Sequence, residues 1–387
     1  MVCLEFALVT PYFKIAVVAV RLAMMKEKTL SDIHQHWMQL ALNEALKAVG
    51  NTHPNPAVGA VIVRDGQVLG KGYTQPCGGH HAEVEALKRA GDVQGATLYV
   101  TLEPCASQGR TPACTAAIIP SGIVQVVIAS SDPNPNMAGG ADVLQQAGID
   151  VILGVCKDEA DVLNRPFFHY IKTNMPWLIA KAAISLDGKM ATRTKHSQWI
   201  SGAESRQHAH GVRALCDAIV VGVGTLVHDN PSLTVRDARM IGKPPLRVML
   251  GKHAPKPWKD CKLLSDEAPS RFYITHDSED AQAWRDLGMQ VMLVEDYQAA
   301  FKHLAADGCL QVLLEGGGKL HAACLEYGIS NELLLYQAPV LMGGVEALSF
   351  WHGEGVATMQ DALHIKNIER VMLGQDMCIR GDIVYPS

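Results

Sequence analysis

Three short stretches of this sequence share one chemistry: His81-Ala82-Glu83, then Leu102-Glu103-Pro104-Cys105, then Cys114. One imidazole and two thiols are enough to hold a zinc ion, and a tetrahedral site with three protein ligands keeps its fourth position for water. Three ligands therefore point to catalysis, since structural zinc sites fill all four positions. The requirement also restricts the fold, because side chains from separate segments must converge on one point.

The order of the residues narrows the chemistry. In zinc enzymes that deaminate nucleobases, His-x-Glu precedes Pro-Cys; the histidine and two cysteines bind metal, and the glutamate carries protons without touching it. Glu83 fits the proton carrier, with His81, Cys105 and Cys114 as ligands. A separation of two does not place side chains on one face of a regular helix, so His81 and Glu83 are expected at a helix start. Two thiolates also offset the zinc charge and leave its water a weaker acid, which increases the need for a nearby base. Cys77, Cys156, Cys216, Cys309 and Cys324 read as small packing residues. Eight residues lie between Cys105 and Cys114, a departure from the commoner spacing of two.

A length of 387 residues suits two domains, and an apolar share of 48% is ample for their cores. Ten irregularly spaced cysteines do not form a disulfide framework, and thiolate ligands suit a reducing, cytoplasmic compartment. A net charge of -5 argues against a nucleic-acid surface and favours a small-molecule substrate. Leu8 to Ala23 is largely apolar, yet Pro11, Lys14 and Arg21 interrupt it and no basic segment precedes it. It reads as neither signal nor membrane span. Residues 1–30 are taken as an extension, with Met24-Met25 as the start-like pair.

From Ser31 the residues Trp37, Met38, Ala41, Leu42, Ala45 and Leu46 recur at helical spacing. Thr52-His53-Pro54-Asn55-Pro56 follows, where two prolines fix an extended turn that can hold Asn55 against a ligand. Ala60–Val63 and Val68–Gly70 flank Asp65-Gly66, a hairpin signal. Helix 82–90, strand 97–101, helix 112–119 and strand 124–129 then alternate. That alternation predicts an α/β sheet covered by helices, with sites at strand-to-helix junctions.

The second half, residues 174–387, opens at Asn174-Met175-Pro176, with a buried strand from Trp177 to Ala183 and a helix from Ala203 to Leu215. Two strands run into glycine turns: Ala218–Val221 into Gly222-Val223-Gly224-Thr225, and Gln311–Leu314 into Glu315-Gly316-Gly317-Gly318-Lys319. Neither turn is a P-loop or a full dinucleotide fingerprint, although both bring backbone amides to where a phosphate can sit. His208 and His210 read as helix surface.

The strings HPNPAVG, HAEVEAL, VTLEPCASQGRTPAC and DPNP resemble the deaminase half of the bifunctional riboflavin-biosynthesis family. KAAISLDGKMA, SQWIS, VGVGT, DNPSLTVR, LLEGGG and APVLMGG resemble its reductase half, in the same order. The resemblance implies a cytidine-deaminase-like zinc domain over 31–173, followed by a dihydrofolate-reductase-like domain over 174–387 that uses NADPH. It implies one zinc on His81, Cys105 and Cys114, with Glu83 relaying protons. NADPH contacts would fall on Ala183, Trp199, Thr225, Asp229, Gly317, Gly318 and Lys319, and substrate contacts on Ser197, Arg213, Leu233, Arg236 and Glu315. Two arginines can clamp a ribose phosphate, and Trp199 can either pack in a core or wall a nicotinamide. The expected assembly is a homo-oligomer. This chain departs from the family pattern at Thr74, Gly79, Ala106-Ser107 and His228.

Two other readings fit the zinc residues: a nucleic-acid or nucleoside deaminase with an accessory domain, and a binding protein with structural zinc. If residues 1–23 lie outside the working enzyme, a chain beginning at Met25 should equal the full chain in ammonia release, NADPH oxidation and melting temperature. A marked loss of any of the three would make the segment part of the fold.

Overall fold

The computed structural model describes residues 30–109, 111–240 and 242–386, so the extension and its Met24-Met25 pair lie outside the described residues. The described chain divides into two compact units between Thr173 and Asn174.

The first unit runs α1 (Leu30–Ala45), β1 (Gly59–Arg64), β2 (Gln67–Tyr73), α2 (Ala82–Ala90), β3 (Thr97–Leu102) and α3 (Cys114–Ile118). It continues through β4 (Gln125–Ser130), α4 (Gly140–Gln146), β5 (Asp150–Leu153), α5 (Lys157–Leu163) and α6 (Arg165–Thr173). Its sheet has the order β2-β1-β3-β4-β5. The β1–β2 hairpin closes through Asp65 and Gly66 at φ 51 and 73, the left-handed pair that matches the twist of two strands. β3, β4 and β5 run parallel, each reached through a helix.

Met38, Ala41, Leu42 and Ala45 of α1 pack with Val61 and Val63 of β1, Tyr99 of β3 and Val127 of β4, and Ala160 and Leu163 of α5 join them. β2 meets α2 instead. A β-carbon at Gly70 would strike the Ala86 carbonyl oxygen, and one at Gly72 the Ala82 carbonyl oxygen. Glycine there lets α2 lie directly on β2, which fixes where α2 begins.

The second unit starts with β6 (Trp177–Ile184), β7 (Lys189–Ala191), α7 (Ala203–Arg213), β8 (Ala218–Gly222), α8 (Val223–Asp229) and β9 (Leu246–Gly251). Then come β10 (Ser270–Ile274), α9 (Glu279–Asp286), β11 (Gln290–Leu293), α10 (Tyr297–Ala306), β12 (Gln311–Leu314) and α11 (Gly318–Glu326). β13 (Glu332–Gln337), β14 (Leu348–Ser349), β15 (His364–Leu373) and β16 (Asp376–Val384) complete it. Nine strands form one sheet in the order β11-β10-β9-β8-β12-β6-β13-β16-β15. The first seven are parallel; β16 and β15 add antiparallel pairs at one edge. Two apolar clusters serve the parallel strands, one with Ile219, Met249, Phe272 and Trp284, the other with Val220, Leu250, Tyr273 and Phe301. The alternation of consecutive residues between clusters marks a sheet buried on both faces.

Arg247 of β9 is fully buried, and its guanidinium donates to the carbonyls of Lys262, Leu263 and Ser265 at 3.0, 3.3 and 2.7 Å and to that of Ala268. One charged side chain thus satisfies a loop whose carbonyls have no ladder partner. No described helix is long and apolar enough to cross a membrane.

Gly59 tests the packing of the first sheet, because a β-carbon there would overlap the Ala41 carbonyl oxygen and crowd the Ala45 nitrogen of α1. Gly59→Ala should destabilise the first unit by about 1–3 kcal/mol, the range for an overpacked core. Urea unfolding followed by hydrogen exchange at β1 amides reads this directly. Unchanged exchange would mean that α1 is not seated on β1.

Candidate active sites

His81 caps α2 in extended conformation, Cys105 follows β3, and Cys114 begins α3. The end of the parallel strands therefore brings together three residues that the chain keeps apart. Their ligand atoms all lie within 4.8 Å of one another. His81 Nδ1 is 3.1 Å from Cys114 Sγ and 3.7 Å from Cys105 Sγ. Zinc bonds of about 2.0–2.3 Å give tetrahedral edges of roughly 3.3–3.8 Å, so the donor set and its spacing fit that ion. The other ring nitrogen, Nε2, lies 3.4 Å from Thr111 Oγ1, which fixes the ring as an outer partner of a ligand does.

The protonation pattern suits a metal. Hydrogen bonding to the Cys114 thiol, with His81 adding to it against burial, brings Cys105 down to about 4. The same shared proton, with burial, pushes Cys114 up. One thiolate and one thiol hold a single proton between them, and a metal would displace it. The Cys114 N–H also donates to Cys105 Sγ at 3.2 Å. Glu83 sits on the first turn of α2, buried, and burial raises its carboxyl above the ordinary range although His81 opposes the shift. Burial that favours the acid form of a carboxyl beside the ligand cluster suits it to taking up a proton and returning it.

A cavity of about 280 Å³ opens beside these residues, with Asn55, Thr74, Gly79, Ser107, Asp132 and Asn134 in its wall. Burial raises Asp132 to about 6 against the Asn134 amide, with Glu103 adding to it. Asn55 lines this cavity together with the two prolines that flank it, Pro54 and Pro56. The Thr74 hydroxyl is engaged by Val58, accepting from its N–H at 3.1 Å. A β-carbon at Gly79 would lie 2.7 Å from Gln75 Cβ, so the turn excludes a glutamate as it stands. The Ala106 N–H donates to the Met137 carbonyl at 3.0 Å, and nothing in the structure explains Ser107 beyond its place in the wall.

In the second unit the two glycine turns adjoin. A β-carbon at Gly316 would lie 2.5 Å from the Gly222 nitrogen, and one at Gly318 would strike the Ser349 carbonyl oxygen. These glycines are required by protein packing. Gly224, by contrast, faces open space, and Thr225 Oγ1 is 3.3 Å from where a β-carbon on Gly317 would stand. Lys319 and Asp229 are exposed beside them. The turn before α11 and the first turn of α8 are thus neighbours through Gly317 and Thr225. Ala183 lies on β6 opposite Tyr336 of β13.

Trp199 is 71% exposed, with the Arg206 guanidinium 4.9 Å from its ring centre, so it is not a core residue. Ser197 is half-buried two residues earlier. Leu233 is packed in the core at φ 51, leaving its backbone for any ligand contact. Glu315 takes the Arg213 guanidinium in a two-point bond, Nε and Nη2 each 2.6 Å from a carboxylate oxygen, with Lys181 Nζ at 4.0 Å. Burial opposes ionisation of Glu315, and Arg213 with Lys181 overcomes it to hold the carboxyl at about 2. The expected clamp of two arginines is therefore modified: Arg213 spends its donors on Glu315 and on the Thr234 carbonyl at 3.0 Å, while Arg236 is exposed.

His208 and His210 correct the surface reading. His208 pairs with the Tyr336 hydroxyl at 2.8 Å, and buried His210 accepts the Arg236 N–H at 3.0 Å. Burial lowers both to about 4, so both are neutral at pH 7. The His228 ring meets the Gly224 carbonyl at 2.8 Å and so braces the glycine turn. Sequence reasoning did not single out Thr111, Glu103 or Lys181, although each stands inside a quoted motif.

Residues 176–379 match the RibD C-terminal domain, and residues 31–130 match the cytidine and deoxycytidylate deaminase zinc-binding region. The riboflavin biosynthesis protein RibD of Aquifex aeolicus is 41% identical over 90% of this chain and 98% of its own length. That of Escherichia coli is 35% identical over 89% and 98%. The chain belongs to the RibD family. An Acinetobacter baumannii RibD structure superposes with a TM-score of 0.84 at 35% identity, covering 92% of this chain and 99% of that one. The deaminase/reductase structure from Thermotoga maritima gives 0.82 at 30%, with the same coverage. Like the RibD proteins it matches, the chain is a bifunctional enzyme of riboflavin biosynthesis, a deaminase domain followed by a reductase domain.

If His81, Cys105 and Cys114 are the ligands, purified protein should hold one zinc per chain by atomic absorption. Cys105→Ser should lose the zinc and ammonia release together while NADPH oxidation persists. Full ammonia release from zinc-free Cys105→Ser would remove these residues from the site.

Proposed function

We propose that the first unit hydrolytically removes the exocyclic amine of 2,5-diamino-6-ribosylamino-pyrimidinone 5'-phosphate, and that the second reduces the ribosyl chain of the product to ribityl with NADPH. The observation that carries this reading is the three-ligand cluster with Glu83 buried beside it, on a cavity sized for a pyrimidine, in a chain whose other unit is a RibD reductase. The T. maritima relative is itself named for this pair of activities.

Zinc on His81, Cys105 and Cys114 would supply a Lewis acid that makes water acidic enough to react near neutral pH. The chain's own residues do the rest. Glu83 takes one proton from the attacking water and gives it to the ring nitrogen, then takes the proton of the newly added hydroxyl and gives it to the amine, which leaves as ammonia as the carbonyl forms. Thr111 holds the His81 ring, and Asn55 offers an amide to the base from a turn with little freedom. Asp132 and Asn134, in the same wall, are placed to meet the substrate's polar groups.

In the second unit NADPH supplies the hydride when bound. Ala183, Trp199, Thr225, Asp229 and Gly317 to Lys319 hold it, Trp199 being exposed enough to wall a nicotinamide. Glu315 and Arg213 form a fixed pair that orients the sugar, with Ser197 and the Leu233 backbone beside it, and Arg236 supplies the exposed cation for its phosphate. Thiolate ligands favour a reducing, cytoplasmic compartment. The assembly is a homo-oligomer, for which the exposed edge strand β15, carrying Val371 and Met372 outward, offers an uncovered ladder. A nucleic-acid deaminase is less well supported, because the net charge is -5 and a complete reductase domain accompanies the zinc site.

Glu83→Gln should keep zinc, lose about a hundred- to ten-thousand-fold in ammonia release, and still oxidise NADPH on pre-deaminated substrate. Arg236→Ala should do the opposite, and Glu315→Gln likewise, although the latter strands Arg213 and destabilises its unit as well. Loss of NADPH oxidation in folded Glu83→Gln, supplied with pre-deaminated substrate, would replace two sites with one shared site.

A further inference from the structure

The residue before Pro104-Cys105 has no part in the chemistry above, yet it is buried and its carboxylate takes three backbone N–H groups. Glu103 Oε2 accepts from Asp132 at 3.1 Å, and Oε1 accepts from Gly139 at 3.2 Å and Ala141 at 2.9 Å. Its own N–H donates to the Ser130 carbonyl at 2.8 Å, where β4 ends. The segment that follows β4 folds on itself: Asp132 Oδ1 accepts from Asn134, and the Asn134 side chain accepts from Asn136, at 2.9 and 3.1 Å. It returns to the metal side through Ala106, whose N–H meets the Met137 carbonyl. Where α4 starts, a β-carbon at Gly140 would overlap the Pro104 carbonyl oxygen, so this segment and the Cys105 loop are in direct contact.

We propose that Glu103 is a positioning residue for the deaminase site: its carboxylate clamps the 131–138 loop so that Asp132 and Asn134 face the cavity, and thereby sets substrate affinity and not the rate of proton transfer. The inference rests on the deaminase reading of this cavity. Glu103 itself neither joins the three-ligand cluster nor is needed to move a proton, since Glu83 occupies that place. What it holds is the part of the wall that carries Asp132 and Asn134. A loop without ladder partners has amides to satisfy, and this carboxylate ties the loop near both ends, through Asp132 on one side and through Gly139 and Ala141, where α4 starts, on the other.

The two oxygens divide the work, which makes the clamp separable from the fold. A glutamine can keep one oxygen on Gly139 and Ala141 and so preserve the start of α4. Its amide nitrogen then opposes the Asp132 N–H, donor against donor, and frees the loop that carries Asp132 and Asn134. Hydrogen bonds to charged groups carry enough energy that losing this one should raise KM for the diaminopyrimidine ribosylamine phosphate roughly ten- to a hundred-fold. kcat should stay within about threefold, because Glu83 is untouched.

The experiment uses the full chain with zinc bound. Glu103→Gln is compared with wild type for zinc content, for KM and kcat of ammonia release, and for hydrogen exchange by mass spectrometry over 131–138 and 139–146. Support requires retained zinc, a raised KM with kcat preserved, and faster exchange in 131–138 but not in 139–146. In an Asn134→Ala background the same substitution should then raise KM by less than about threefold, since the clamp has lost a contact that it positions. A fall in kcat at unchanged KM, loss of zinc, or unchanged exchange in 131–138 would each overturn the proposal. If wild type releases no ammonia from this substrate, the deaminase reading fails, and unchanged or accelerated exchange still decides whether Glu103 holds the loop.

Discussion

The first unit depends on one constraint: a histidine and two cysteines must stand within a few ångströms of each other without a covalent link between them. Their donor atoms lie within 4.8 Å, and two sulfurs at that range compete for protons. The protein meets this by taking each donor from a different kind of junction. His81 precedes a helix, Cys105 leaves a strand, and Cys114 opens a second helix. The glycines at 70 and 72 set the height of α2 on β2, and hence that of His81; the parallel register of β3 with β4 sets that of Cys105. The core beneath is the reason for the precision, since packed interiors do not deform by small amounts.

The second unit has its own central interaction, the buried pair of Arg213 and Glu315. Removing both groups from water is expensive, and two short bonds with Lys181 nearby are what keep Glu315 charged. A charge pair of this kind is a weak device for stability and a good one for orientation, because its geometry admits a single arrangement. That matters where a sugar must present one carbon to a cofactor.

Much of this was legible in the sequence. The helix from Leu30, the Asp65-Gly66 hairpin, the strand at 311–314 and the helix start beside His81 all follow from local signals that the tertiary structure does not override. The helix at Cys114 is shorter than the apolar pattern of 112–119 suggests, because Pro112 and Ala113 are used to turn the chain so that Cys114 faces Cys105. His208 and His210 misled because a helix of polar composition reads as exposed. Tyr336 and Arg236, far along the chain, cover them, and no local pattern encodes that. The same holds for Arg213. Sequence shows two arginines suited to a phosphate, but only the fold brings a buried carboxylate against one of them.

Both units face the same problem at the ends of their parallel strands. The chain must leave the ladder there, and loops that carry function also carry amides with no strand partner. In each unit short acidic side chains solve it. Glu103 gathers three amides beside the metal ligands. Asp187, after β6, accepts from Met342 at 3.0 Å and Gly343 at 2.7 Å, and on the antiparallel edge Asp376, which opens β16, does the same for Gly202 at 2.7 Å. The Ser185 hydroxyl, followed by those two amides, lowers Asp187 to about 2, so it stays ionised and the bonds stay charge-assisted at any pH at which the protein works. A carboxylate accepts several donors with only two or three rotatable bonds to order, whereas a longer basic side chain would donate where donors are already in excess. The acidic balance of the chain thus has a structural use distinct from its bearing on nucleic acids: part of it is spent at strand ends, fixing the loops that present the reacting groups.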